Sequence, residues 1–256
     1  MTSVQNIVSL LDEALWHGFT VFLRIAAISS LLPAFGEQSV PVRVKLAIAL
    51  AFTAVVAPAI ETADARGDLT SVTMVIMSET VSGFLIGIGF RLFILALQTA
   101  GSIAAQSTSL SQVLGGSAVD PLPAMGYILV IAGIALSVIA GLHVKVAQLI
   151  ITSYDFLPYG RFPNGSFVSE WGTRQVAYAF YLAFTLAAPF LVVSVLYNLA
   201  LGAINRAMPQ LMVAFVGAPL ITLGGLALLA IASPFMITVW LQALEEFASN
   251  PMRARP

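Results

Sequence analysis

Long apolar stretches separated by short polar breaks dominate the sequence. Most of them approach the roughly 20 residues that an α-helix needs to cross the core of a bilayer. They lack the ten-residue alternation of a membrane β-barrel strand, and backbone groups in hydrocarbon must be satisfied within the segment. The pattern therefore predicts an all-α, polytopic integral membrane protein with about six apolar helical segments. These are residues 14–32, 44–60, 72–97, 127–151, 176–201 and 211–244.

Proline, glycine and charged residues mark the connections between the stretches, at residues 33–41, 61–68, 115–123, 158–172 and 202–209. The last stretch has a different character. It is too long for one untilted span and contains both Pro219 and Pro234. We therefore expect it to be broken, as a helical hairpin.

Composition strengthens the membrane assignment. The 256 residues are 59% hydrophobic and 9% charged, with a mean hydropathy of +0.96, whereas a soluble domain is about a quarter charged. The net charge of −1 provides no basic surface for nucleic acid, and cysteine is absent. Because Asp12 and Glu13 precede the first apolar stretch, we expect no cleaved signal peptide.

Lysine and arginine are spread evenly over the loops on both sides, so the positive-inside rule gives no orientation. That balance also fits segments that bury against protein instead of lipid. Small residues recur four apart and allow close helix approach, either within the chain, which is the simpler interpretation, or against another subunit. They are Gly83 and Gly87; Gly133, Ser137 and Gly141; and Ala96, Ala100 and Ala104.

Catalytic and metal-binding motifs are missing from the sequence. It has no phosphate-binding loop, no complete dinucleotide fingerprint and no HExxH motif. His17 and His143 lie far apart without carboxylates at ligand spacing. We therefore expect no enzymatic activity, no metal site and no cofactor.

Five ionisable residues fall inside apolar stretches, where charge is costly: Arg24, Glu79, Arg91, His143 and Lys145. Glu79 and Arg91 are separated by about 18 Å of helix rise and about 120° of rotation, so they cannot pair with each other. Their partners must lie on other helices or subunits. Glu79 has no second carboxylate to which it could pass a proton, so a structural ion pair or snorkelling is favoured over a proton relay.

The segment from Thr99 to Met125, TAGSIAAQSTSLSQVLGGSAVDPLPAM, contains no lysine, arginine or aromatic residue. Its hydroxyl residues compete for backbone hydrogen bonds, and its Gly-Gly pair and prolines prevent regular structure. We expect an adaptable insert over residues 99–126, uncharged except for Asp120. It is either an exposed loop or a loop that lines a polar cavity inside membrane protein.

Several motifs together resemble the FliR family of type III secretion export-gate proteins and its virulence-system relatives, the SctT proteins. One is RIAAISSLLPAFGEQSVPVRV at residues 24–44, and another is AGSIAAQ followed by Asp120-Pro121 and later by Gly141 and His143. The most specific is LGAINRAMPQLMVAFVGAP at residues 201–219. It is similar to the family's Gly-x-x-Asn-Arg-x-x-Pro-Gln-Leu element, although Met212 stands where many members have asparagine.

The resemblance implies one membrane domain over residues 1–256, with the first helices in 1–98, a plug-like loop in 99–126 and the remaining helices in 127–256. It implies a multi-pass protein of the bacterial inner membrane, in the flagellar basal body, with much of the chain raised above the membrane plane. The implied partners are FliP and FliQ, which would form with it a closed channel for unfolded flagellar proteins, and FlhA and FlhB. A virulence-type export gate, a secondary transporter and a membrane enzyme are the alternatives.

The resemblance also implies roles for two groups of residues. A closure of the pore would need a smooth, uncharged, deformable segment, because charged groups would trap passing chains. The plug-like loop would comprise Gln106, Ser107, Ser109, Ser111, Gln112, Gly115, Gly116, Asp120 and Pro121, and a structural polar joint between the fifth and sixth stretches would comprise Asn205, Arg206, Pro209 and Gln210.

Overall fold

A computed structural model describes residues 2–61, 68–108, 124–208 and 213–253, and within these ranges it contains helices and no strands. The helices are long, and the connections among the described residues are short. The elements are α1 (Thr2–Leu31), α2 (Val42–Val56), a 3₁₀ turn (Ala57–Ala59), α3 (Leu69–Thr108), α4 (Ala124–Ile139), α5 (Leu142–Phe156), α6 (Gly165–Ala207) and α7 (Val213–Ser249).

The prediction of an all-α membrane protein with about six apolar segments is confirmed. Five helices of the described chain are long and apolar enough to cross a membrane, and α4 with α5 forms a sixth candidate that is bent by 72°. The five are Val8–Leu31, Val42–Ala59, Leu69–Ser107, Gly165–Ala207 and Ile221–Ser249.

The predicted break in the last stretch is wrong, and the break lies in the fourth stretch instead. Helix α7 runs without interruption through Pro234, whereas α4 and α5 separate at Gly141, whose φ of +80° belongs to the left-handed region. A proline in an apolar helix loses one hydrogen bond, which nearby groups can replace. A residue with positive φ ends the helical path outright.

Helix α3 continues to Thr108, so residue 99, the predicted start of the irregular insert, still lies within a helix. The predicted start is too early. Its alanines at 100 and 104 are buried, and the Ser107 hydroxyl donates to the Ala104 carbonyl 2.7 Å away within the helix. Packing of the small residues therefore outweighs the low helix preference of the hydroxyl residues. At the other end, residues 124–126 already belong to α4, and residues 109–123 lie outside the described residues.

The chain divides into two compact units. Unit 1 comprises Met1–Leu92, Ser137–Gln175 and Leu244–Pro256, and unit 2 comprises Phe93–Leu136 and Val176–Ala243. The assignment of residues 1–256 to one membrane domain stays a prediction. In unit 1, Phe247 packs edge-to-face on Phe90, with 5.0 Å between ring centroids. In unit 2, the fully buried Trp240 donates from Nε1 to the Phe93 carbonyl oxygen 2.8 Å away.

Several of the small residues four apart pack within the chain, although a Cβ added at Gly141 would meet nothing within 4 Å. In unit 1, a Cβ added at Gly83 would collide with the backbone carbonyl of Arg24. In unit 2, a Cβ at Gly101 would collide with the backbone of Gly126, and one at Gly133 would lie 3.2 Å from the Trp240 ring. The helices therefore approach at distances that only glycine permits. This agrees with the simpler interpretation of their spacing.

Candidate functional site

Two ionisable residues predicted within apolar stretches meet in the interior of unit 1. Arg24 on α1 and Glu79 on α3 are both completely buried. Arg24 Nε donates to Glu79 Oε2 at 2.8 Å, and Arg24 Nη2 donates to Glu79 Oε1 at 3.1 Å. This two-point geometry matches the planar guanidinium to the planar carboxylate. The two opposite charges, each of which would be costly alone in an apolar segment, therefore neutralise each other.

The other donors of Arg24 are directed at α5 and the segment after it. Nη1 donates to the Ser153 hydroxyl at 3.0 Å, and Nη2 donates to the Leu157 carbonyl at 2.9 Å. The guanidinium carbon also lies 3.7 Å from the centre of the Tyr154 ring, within the range of a cation–π interaction. Arg24 thus joins α1 to α3, to α5 and to Leu157, the residue directly after α5.

Glu79 accepts hydrogen bonds from two further groups besides Arg24. The Tyr154 hydroxyl donates to Oε2 at 3.3 Å, and the Gly160 N–H donates to Oε1 at 3.1 Å. Gly160 has a φ of +67°, a backbone conformation that favours glycine. The turn after α5 is therefore shaped to direct an N–H at the buried carboxylate. We call Arg24, Glu79, Ser153, Tyr154, Leu157 and Gly160 the Arg24 cluster.

The geometry of the Arg24 cluster favours a structural role over proton transfer. A buried charge is tolerated when it is paired and its remaining hydrogen-bonding positions are filled, and both conditions hold for Arg24 and Glu79. A proton carrier would instead need an open path and a second acceptor. In the described ranges, no three His, Asp or Glu side chains form a group that could hold a metal ion. The cluster therefore fastens α1, α3 and the α5–α6 connection together.

The other predicted ionisable residues are not part of the Arg24 cluster. Arg91 pairs with Glu37 at 3.0 Å, and Lys145 pairs with Glu245 at 2.8 Å; each of these side chains is roughly a quarter to a third exposed. His143 is exposed. Glu79 and Arg91 therefore pair with other segments and not with each other, as their spacing predicted.

Sequence reasoning missed four partners of these charges. Ser153 and Tyr154 on α5 are not ionisable near neutral pH, so a search for charge in apolar stretches passes over them. Glu37 and Glu245 lie at or beyond the edges of apolar stretches. The occurrence of one arginine and one glutamate inside different apolar stretches was nevertheless a usable signal, because each buried charge requires a partner.

The predicted plug-like loop and polar joint are described only in part. Gln106 and Ser107 lie in the last turns of α3, and Ser109, Ser111, Gln112, Gly115, Gly116, Asp120 and Pro121 lie outside the described residues. Asn205 and Arg206 are exposed near the end of α6, so Arg206 is not buried within this chain as the joint assumed. Pro209 and Gln210 are outside the described residues. Both roles stay predictions.

Comparison with known proteins is consistent with this architecture. The sequence model of a family described as "Bacterial export proteins, family 1" matches residues 15–247. The chain belongs to this family. The match begins within α1, ends within α7 and includes every residue of the Arg24 cluster, and it confirms the resemblance drawn from the motifs.

Individual relatives agree along most of their length. The flagellar biosynthetic protein FliR of Caulobacter vibrioides is 31% identical over 230 residues, covering 88% of this chain and 92% of the relative. FliR of Escherichia coli is 28% identical over 223 residues, covering 85% and 84%. FliR of Bacillus subtilis is 25% identical over 211 residues, covering 78% and 79%. This member of the export family thus matches about four fifths or more of the length of these flagellar relatives.

Proposed function

We propose that this chain is an export-gate subunit of the flagellar type III protein secretion apparatus and not an enzyme. In this proposal it forms, with FliP and FliQ, the inner-membrane channel through which unfolded flagellar proteins pass, and it works with FlhA and FlhB. The observation that carries the proposal is the family match over residues 15–247. Relatives named as flagellar biosynthetic proteins support the flagellar branch over the virulence branch.

The transporter alternative loses its main candidate residue. A proton-coupled transporter needs a carboxylate that exchanges protons with both sides of the membrane. Glu79 is completely buried and accepts hydrogen bonds from Nε and Nη2 of Arg24, from the Tyr154 hydroxyl and from the Gly160 N–H. Releasing it would break several hydrogen bonds at once. This arrangement supports a gate subunit with a fixed internal frame.

The test is secretion by a strain that lacks this chain. We expect that deleting its gene abolishes swimming and the appearance of flagellar filament protein in the medium, and that the chain supplied from a plasmid restores both. The control measures a protein exported by the general secretion pathway, which should be unaffected. Normal filament export in the deletion strain would contradict the proposal, and loss of virulence-factor secretion alone would favour the virulence branch.

We also predict a closure of the pore by the segment that follows α3. The structure refines the variant to test, because α3 extends to Thr108, so a deletion of residues 109–118 leaves the helix intact. Only contacts made in the shut state can bias a gate toward closure. The deletion should therefore leave the complex assembled and make the membrane leaky to small solutes, as measured by dye or ion uptake.

A charged substitution in the same segment provides the complementary test. Gly115→Arg should reduce export, because a bulky cation blocks the passage and captures passing chains. The matched control is Gly165→Arg at the exposed start of α6, where an added Cβ meets nothing within 4 Å. An assembled deletion variant with a tight membrane would show that this segment is an ordinary exposed loop.

A further inference from the structure

Helix α2 is held in unit 1 by few buried side chains. It buries only Ala49, Thr53 and Val56, which recur at the spacing of one helix face. The Thr53 hydroxyl donates to the Ala49 carbonyl 2.7 Å away within α2, so it does not join α2 to a neighbouring helix. Parts of a fold with few buried apolar contacts are those that open at the lowest free energy. The middle of α2 therefore restrains its position only weakly.

Polar contacts fasten α2 near both of its ends. In its first turn, Lys45 Nζ donates to the Gly36 carbonyl oxygen at 2.9 Å. Directly after its end, the Ala57 carbonyl oxygen accepts from Nε2 of His17 on α1 at 2.8 Å. Both contacts are only partly buried, and each is a single hydrogen bond, which adds little net stability. These two contacts can therefore break without unfolding the rest of unit 1.

The turn between α1 and α2 has a strained backbone. Ala34 has a φ of +70°, and in the described part of the chain it is the only residue other than glycine with a positive φ. The left-handed conformation is unfavourable for a residue with a Cβ. Such strain persists only where the surrounding structure imposes it. A change of φ at this position would redirect the whole of α2.

Contacts on both sides of Ala34 impose this conformation. Phe35 packs edge-to-face on Phe52 of α2, with 6.1 Å between the ring centroids. Glu37 pairs with Arg91 of α3 at 3.0 Å. The strained turn is therefore held between α3 on one side and α2 on the other. If α2 moves away, Phe35 loses its partner and the backbone at Ala34 can relax.

We propose that α2 is a hinged helix that swings away from α1 when the export gate opens. Residues 32–37 form the hinge, and the hydrogen bonds of Lys45 and His17 hold the position that α2 has in the structure, which we call docked. In hinge motions a few loop residues absorb the change of φ and ψ while the helices stay intact. The inference rests on the proposed function, because the movement serves the opening of the export channel.

A reversible cross-link tests whether α2 must move. The sequence contains no cysteine, so His17→Cys with Ala57→Cys introduces a unique pair of thiols at the end of α2 farthest from the hinge. A short bifunctional methanethiosulfonate joins the thiols, and a reducing agent releases them. We expect export of flagellar filament protein to fall in proportion to the cross-linked fraction and to recover on reduction. Cross-linked chains that export as well as the reduced chains would overturn the proposal.

The matched control is a cross-link within one helix. Glu170→Cys with Arg174→Cys replaces an exposed pair, 3.1 Å apart, that lies one turn apart on α6. The same reagent bridges these thiols without restraining one helix against another. Export by this control should not change on cross-linking. An equal loss of export in the control would overturn the assignment of the effect to α2.

Ala34→Gly tests the hinge in a chain that keeps both hydrogen bonds. Glycine adopts positive φ without strain, so the docked position becomes more stable. Amide hydrogen exchange in α2 should slow by about fivefold, and export should fall although the chain is more stable. A turn that takes no part in opening would leave export unchanged. Slower exchange with normal export would therefore overturn the proposal, as would exchange that does not slow.

The deletion strain separates failure of this inference from failure of the proposed function. If the unsubstituted chain does not restore export of filament protein, the proposed function fails. If it does, and neither the cross-link at residues 17 and 57 nor Ala34→Gly lowers export, only the hinge at α2 is refuted.

Discussion

Arg24→Met is expected to destabilise the folded protein by about 3–5 kcal/mol, the usual cost of removing one partner of a buried ion pair. The variant leaves the Glu79 carboxylate completely buried with only the Tyr154 hydroxyl and the Gly160 N–H as donors. It also removes the donors to Ser153 and Leu157. The expected result is a large loss of folded protein, measured as the amount in the membrane and as thermal unfolding in detergent.

Two controls distinguish this effect from a general loss of charge. The pair Arg174–Glu170 joins residues four apart at 3.1 Å and is largely exposed, so Arg174→Met should change stability little. The double variant Arg24→Met with Glu79→Leu should recover much of the loss, because no unpaired charge remains buried. If Arg24→Met is no less stable than Arg174→Met, the Arg24 cluster does not hold unit 1 together.

Gly83→Ala is expected to separate α1 from α3. The added Cβ would collide with the backbone carbonyl of Arg24 and lie 2.7 Å from the Ala27 Cβ. Neither group is the end of a flexible side chain, so the helices themselves must shift. Overpacking of this kind costs about 1–3 kcal/mol, and the shift also displaces Arg24 from Glu79. We expect a lower unfolding temperature in detergent and less protein in the membrane.

Gly172→Ala on α6 is the matched control for Gly83→Ala. An alanine Cβ there meets nothing within 4 Å, so only the helix preference of alanine over glycine acts, which favours the folded state by up to about 1 kcal/mol. The two identical substitutions should therefore shift the unfolding temperature in opposite directions. Equal shifts would mean that the close approach at Gly83 does not constrain the helices.

The helices could be predicted from sequence because hydrocarbon permits few other structures. Runs of apolar residues were sufficient to predict about six segments. The locations of the breaks could not be predicted as well. From sequence, Pro234 looked more likely than Gly141 to break a helix. A proline, however, removes only one backbone hydrogen bond, and neighbouring groups in an apolar helix can satisfy the carbonyl that it leaves free. Gly141 looked like a packing residue, and its left-handed backbone conformation depends on the packing of α4 and α5.

The partners within the candidate site were harder to predict. Arg24 and Glu79 are separated by 55 residues, and Arg24 and Ser153 by 129. The sequence shows only that each buried charge needs a partner. Which partner it finds depends on how α1, α3 and α5 pack, and that packing is set by glycines such as Gly83.

The mass of the native complex tests the central claim, that this chain is a subunit of a flagellar export gate, most directly. The chain should be purified from its own bacterium in mild detergent through an affinity tag, and the intact complex measured by native mass spectrometry. The account predicts one copy of this 27.0 kDa chain together with several copies of FliP and FliQ. A monomer, or an assembly that contains only copies of this chain, would contradict it.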